Sequence, residues 1–405
     1  MWRGALGICM LAAIVRLIPA TIFFGTSDVM GWELLGRHLL AGENFYATQL
    51  HNWPVLWIYF SAAALLAHDT TGLPFALLIK LPPITADVIL ALMLMRAAGW
   101  GAGLVYALHP VAVLISGYHG QFDSLMLAPT VLAWRLFETW KGPRRVIGSG
   151  LALGVGVWFK PVPLLLLPVF LPRLRTWRER AAYGALSVAP ACLGTLPYLL
   201  RWPEDVAVNF LGYSSWFGQW GYPVVWMLVE YLKDHTIPWW LPDPEFVSPP
   251  LQAMFAAGRW LLLAALLSVW LVSFKRGLST LRSIIATFSA FYFVTVGFGL
   301  QYLLWIVPFA ILARDRMLWP YTLTSTAVLG TAYLLGQAYL APEGLLDFAE
   351  LNTREFLVKL ATLPTWLLCG VWALASVTRR QHTAGQDLRV APPAVARPAR
   401  AMDST

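Results

Sequence analysis

Three short polar groups interrupt an otherwise oily sequence, and they hold the side chains whose types and spacing could do chemistry. The first is Gly25-Thr-Ser-Asp28, followed by Trp32, Glu33, Arg37, His38, Gly42 and Tyr46. The second is the turn Gly117-Tyr-His-Gly-Gln-Phe-Asp-Ser124, which packs His119, Gln121 and Asp123 between two apolar runs. The third is Phe159-Lys160-Pro161, in the middle of another apolar run. A carboxylate such as Asp28 at the mouth of an apolar segment suits a general base that takes a proton from a hydroxyl. For the first two groups, the bland alternative is a solvated turn.

Five ionisable residues fall inside the apolar runs: Arg16, Lys80, Asp87, Lys160 and Arg259. A charge there is costly unless it faces a cavity or a partner, so each is a functional candidate. Lys80 and Asp87 lie seven residues apart, about 10 Å along a helix, too far to pair without long rotamers. The bland reading is mutual neutralisation, with Asp87 pairing to a cation on another segment.

The elements that must position these groups are membrane helices. Hydrophobic residues make up 58% of the 405-residue chain and charged residues 12%, about half the charge of a soluble domain. Continuous apolar runs of the length needed to cross a bilayer recur throughout. Only helices or closed barrels satisfy the backbone in lipid, and continuous rather than alternating runs select helices. The fold class expected is therefore an all-α integral membrane bundle of about twelve spans. Two large outer loops, residues 25–73 and 201–250, carry interfacial helices, among them Val29–Leu40 and Pro54–Ala67. Residues 1–377 form one transmembrane domain, and residues 378–405 a basic, disordered cytoplasmic tail.

The net charge of +8 does not indicate nucleic acid, because the basic residues recur in short turns between spans. They include Lys141 to Arg145, Arg173 to Arg180 and Arg379-Arg380. Acidic residues collect in the other loops. That alternation follows the positive-inside rule and puts both termini in the cytoplasm, with the polar groups facing outward. The N-terminal run has no small-residue cleavage site and reads as a retained span. Residues 147–171 are flanked by basic turns at both ends, so they form a hairpin of two short helices broken at Lys160-Pro161. Trp202, Trp216, Trp220, Trp226, Trp239 and Trp240 crowd the second outer loop, either as membrane anchors or as a surface for an acyl chain or sugar ring. Cys9, Cys192 and Cys369 give neither a disulfide framework nor a metal pattern.

Five segments, in order, resemble the GT-C glycosyltransferases: SDVMGWELLGRHLLAGENFYA, KLPPITADVILALML, LHPVAVLISGYHGQFDSLMLA, GVWFKPVPLLLLPVFL and FGLQYLLWIVPFAIL. The similarity is to bacterial enzymes related to the GPI mannosyltransferases, and to the dolichol-phosphate-glucose glucosyltransferases of N-glycan assembly. The resemblance implies a GT-C-type bundle that moves a hexose of the mannose or glucose class, with inversion. The sugar would pass from a polyprenyl-phosphate donor to a lipid-linked or glycan acceptor at the outer face of a bacterial cytoplasmic membrane. It makes Asp28 the base. Arg37, Lys160 and Arg259 become candidate cations for the donor phosphate, with His119 as a hydrogen-bond donor. Gln121 and Asp123 would hold the sugar or orient the base, and Gln301 opens the late QYLLW helix. One departure stands out: the glucosyltransferases carry an acid before a Tyr-Pro-Pro, and the matching stretch Leu50–Pro54 has none.

No cofactor is expected, although some GT-C relatives hold a divalent metal at outer-loop acids, which leaves Asp28 with Asp123 as an option. Two rivals stay open. One is a polytopic transporter or lipid flippase, which broken helices and midplane charges also suit. The other is a non-catalytic membrane scaffold, which would need neither Asp28 nor the HGQFDS turn.

Overall fold

The computed structural model describes residues 2–211, 218–233, 249–336 and 348–378. Trp216, Trp239, Trp240, residues 337–347 and the tail from residue 379 lie outside the described residues. The chain is helical throughout, with no extended strand among the described residues. It agrees with the GT-C-like membrane bundle expected above.

Helix α1, Trp2–Ile22, leads into α2, Ser27–Leu40, and α3, Leu56–Thr71. Helices α2 and α3 cover the two stretches expected to lie at the interface, each a few residues from its predicted bounds. Next come α4, Phe75–Leu78, and α5, Leu81–Ala98, then α6, Trp100–Ala107, and α7, Pro110–Val113, which runs into a π turn over Leu114–His119. Helix α8, Asp123–Thr139, and helix α9, Gly142–Phe159, form a tight antiparallel pair. The hairpin break falls where Pro161 puts it: Lys160 is extended (φ −148°, ψ 140°) and α9 ends before it. A 3₁₀ turn and the short α10, Leu167–Phe170, follow.

Helix α11, Trp177–Arg201, starts four residues earlier than its apolar run suggests. The Thr176 hydroxyl accepts from the Glu179 amide while the Glu179 carboxylate accepts from the Thr176 amide, a capping box that extends the helix into the basic turn. The remaining helices are α12, Pro203–Leu211; α13, Tyr222–Lys233; α14, Pro249–Lys275; α15, Thr280–Val294; α16, Val307–Leu312; α17, Leu318–Gly336; and α18, Phe348–Thr378.

Among the described residues, five helical segments are long and apolar enough to cross a membrane: Gly4–Ile22, Phe75–Ala98, Trp177–Arg201, Gln252–Lys275 and Arg354–Thr378. The pair Trp100–Ala107 and Pro110–His119, bent by 48°, makes a sixth if it is one span. This is an integral membrane protein. Shorter helices such as α8, α9 and α15 occupy the other expected crossings, so a count of twelve does not follow from helix length. Half of the Phe75–Ala98 window is buried against 11% for Trp177–Arg201 and Gln252–Lys275, which makes α5 a central helix and α11 and α14 peripheral ones. Of the loop tryptophans, Trp220 is buried, donates to the Tyr292 carbonyl and stacks on Phe298. Packing, not membrane anchoring, accounts for that one.

Candidate active site

The HGQFDS turn is built by the bend in the α6–α7 span. His109-Pro110 ends α6, because proline offers no amide and restricts the residue before it. The chain resumes and widens into the π turn, a form often found at functional sites. Gly117 lets α1 approach, since a Cβ there would lie 2.7 Å from the Arg16 carbonyl. Gly120 closes the turn at φ +84°, a region that side chains other than glycine rarely adopt.

A buried carboxylate pins both flanks of this turn. Asp87 on α5 accepts from Arg16 Nε on α1 (2.7 Å), Tyr106 on α6 (2.6 Å), Ser116 before the turn (2.5 Å) and Ser124 at its end (2.6 Å). Arg16 also donates to the carbonyls of Ala107 and Tyr106 at the end of α6. Asp87 therefore pairs with a cation on another helix, and Lys80 is not that cation.

Asp28 sits in the first turn of α2, where the helix dipole favours an anion. Its Oδ2 accepts from His119 Nε2 at 2.9 Å and from Gln121 Nε2 at 2.5 Å. No described residue donates to Oδ1, and 45% of the Asp28 side-chain surface is open. The surrounding protein alone would raise the Asp28 pKa. The hydrogen bonds from His119 and Gln121 and the charge of Lys160 together hold it below the usual carboxylate value. The other ring nitrogen of His119, Nδ1, lies 2.8 Å from the Tyr333 hydroxyl on α17. With the phenol donating to Nδ1, the ring carries its proton on Nε2 and donates to Asp28.

Asp123 and Lys160 have different places from those expected. They form an ion pair at 2.7 Å with both side chains fully buried. The second Asp123 oxygen accepts from Trp305 Nε1 at 2.6 Å. The Lys160 ammonium lies 4.3 Å from the Phe122 ring centre, a cation–π contact. Asp123 is thus closed to a sugar, because its side chain is fully buried with a partner on each oxygen. Lys160 stays near enough to act electrostatically on Asp28.

Three further residues are not brought to the cluster. Arg37 is exposed and pairs with Glu33 one turn back on α2, at 2.7 Å. Arg259 is exposed on α14 and lies over Trp260. Gln301 is half-buried in the turn before α16, with no hydrogen bond to Asp28 or His119. Trp305, four residues further on, donates to Asp123 instead.

Residues for a divalent ion are poorly placed. Among the described residues no three or more His, Cys, Asp or Glu side chains gather, and both Asp123 oxygens are taken.

Comparison with known proteins gives two curated relatives. Both are undecaprenyl phosphate-alpha-4-amino-4-deoxy-L-arabinose arabinosyl transferases of Pseudomonas aeruginosa, from strains PAO1 and LESB58. Each is 26% identical over 259 residues, which is 60% of this chain and 44% of the relative. The chain therefore spans under half the length of the curated relatives it matches. No family model matches it, and no solved structure does. The relatives agree with the resemblance to GT-C enzymes in general, and they are arabinosyl rather than mannosyl or glucosyl transferases.

Proposed function

We propose that the protein is an inverting membrane glycosyltransferase that uses a polyprenyl-phosphate sugar. The observation that carries this reading is the division of labour on Asp28: His119 and Gln121 both hold Oδ2, and Oδ1 is left open. A carboxylate fixed on one oxygen and free on the other is oriented to take a proton.

In the reaction, the acceptor oxygen forms a bond to the anomeric carbon as the bond from that carbon to the phosphate oxygen breaks. The hydroxyl proton goes to Asp28 Oδ1, and the lipid phosphate leaves with the electron pair. Attack opposite the leaving group inverts the anomeric centre. A lipid phosphate is already a good anion, so it needs positive charge rather than a proton. Of the cations suggested by the sequence, Lys160 alone acts electrostatically on Asp28. Gln121 and His119 hold the base rather than the sugar.

The names of the relatives favour an aminopentose, and the motif resemblance a hexose of the mannose or glucose class. The alternating loop charges favour an outward-facing site, and the motif resemblance a lipid-linked or glycan acceptor. The test is radiolabelled transfer from a panel of polyprenyl-phosphate hexoses and pentoses, using membranes with and without the protein. Asp28→Asn is expected to lower transfer about 10²–10⁴-fold, the usual contribution of a general base. Full activity in that variant rejects the assignment.

A further inference from the structure

Four cations are buried in the described part of the bundle: Arg16, Lys80, Lys160 and Lys359. Three have a carboxylate: Arg16 has Asp87, Lys160 has Asp123, and Lys359 has Glu355 at 4.0 Å. Lys80 has none. Its ammonium donates to the Phe23 carbonyl at 2.7 Å, and no described carboxylate lies within ion-pairing distance.

A buried charge without a counter-ion is costly. The Phe23 carbonyl belongs to the end of α1, whose helix dipole supplies about half a negative charge. That offsets part of the ammonium charge and occupies one of its three N–H donors. Two donors and the remaining charge are left for an anion.

The position says which anion. The Lys80 side chain runs under the reactive turn: a Cβ on Gly120 would lie 3.1 Å from its Cγ and 3.3 Å from its Cε. Gly120 stands between His119 and Gln121, the two residues that hold Asp28. Phe23, whose carbonyl meets the ammonium, and Phe24 are both 44% exposed on the surface of an integral membrane protein.

We propose that Lys80 is the counter-cation of a phosphate group bound beside the Gly120 turn, and that the phosphate is carried by a membrane lipid. In the choice of lipid this rests on the glycosyl-transfer reading above. The role is binding and charge stabilisation of the phosphate, while Asp28 handles the proton.

The experiment measures binding by purified full-length protein in maltoside micelles, which contain no phosphate. Three probes are titrated: undecaprenyl phosphate, undecaprenol and inorganic phosphate. Lys80→Met is expected to weaken undecaprenyl phosphate at least roughly tenfold, the value of one charged hydrogen bond, and to leave undecaprenol unchanged. Lys80→Arg is expected to keep most of the affinity. A thermal melt separates this from a purely structural cap on α1. If Lys80 is an anion site, Lys80→Met melts no lower than wild type without lipid and loses the stabilisation that undecaprenyl phosphate confers. If it is only a cap, the variant melts lower and binds every probe like wild type, and the proposal fails. Lys80-dependent binding of inorganic phosphate but not of the lipid phosphate also overturns the lipid assignment. Asp28→Asn is expected to bind undecaprenyl phosphate normally while losing transfer. A failed transfer reading thus appears in activity and a failed Lys80 site in binding.

Discussion

Tyr333 and Asp28 do not touch, yet one imidazole joins them: His119 offers Nδ1 to the phenol at 2.8 Å and Nε2 to the carboxylate at 2.9 Å. The phenol fixes which nitrogen bears the proton, and so keeps His119 a donor to the base. Tyr333→Phe is expected to lower kcat roughly three- to tenfold, the scale of one net hydrogen bond, with KM for the donor unchanged. Steady-state transfer kinetics check this, and an unchanged kcat removes Tyr333 from the mechanism.

The acid limb of the pH profile should lie low. The Asp28 pKa in the folded protein is below its usual 3.8. Its ionised form therefore contributes stability above about pH 3.8, and that contribution is lost as pH falls through the lower folded value. Replacing His119 with Phe removes a hydrogen-bond donor from the carboxylate, so the acid limb of kcat/KM is expected to move up in pH. A limb that stays in place would show that Asp28 is not the titrating base.

Asp123 and Lys160 neutralise each other in a closed site. Lys160→Met leaves the buried Asp123 carboxylate without its counter-ion and is expected to cost about 3–5 kcal/mol. The double variant Asp123→Leu with Lys160→Met is expected to recover much of that loss. Unfolding curves in detergent measure both. Equal losses in the single and double variants would show that the pair contributes no coupling.

His51 predicts a second pH effect, away from the chemistry. Burial pushes its pKa from 6.5 down to about 4, so the folded loop holds a neutral ring. Its contribution to stability is complete above pH 6.5 and is lost as pH falls from there toward about 4. Amide hydrogen exchange in residues 41–55 is expected to quicken from pH 7 to pH 5, after correction for the intrinsic rate. His51→Gln is expected to flatten that dependence; the same slope in the variant would exclude the histidine as its source.

Where physics forces a partner or a break, the sequence showed it. Asp87 in an apolar run had to meet a cation on another helix, and it meets Arg16. Pro161 had to interrupt its hairpin, and α9 stops at Phe159. The gathering of Asp28, His119 and Gln121 followed from polar density at the ends of apolar runs. Direction was harder to read. Arg37 was a candidate because it is basic, yet Glu33 four residues before it already marked a surface pair. Lys160 and Asp123 each suited a ligand and instead satisfy one another across two helices. Tyr333 and Trp305 were missed because aromatic residues fill the spans throughout. No spacing marks the two whose polar atoms reach the cluster.

The π turn over Leu114–His119 accommodates one more residue per loop of backbone hydrogen bonding than an ordinary helix. Losing a single residue there would let the segment tighten to α geometry and swing whatever follows by about 100°. With Ser116 and Ser124 both fastened to Asp87, the imidazole would face away from Asp28 or the clasp would have to open. In this stretch the number of residues matters as much as their identity, and a deletion that is chemically silent on paper would still disarm the base.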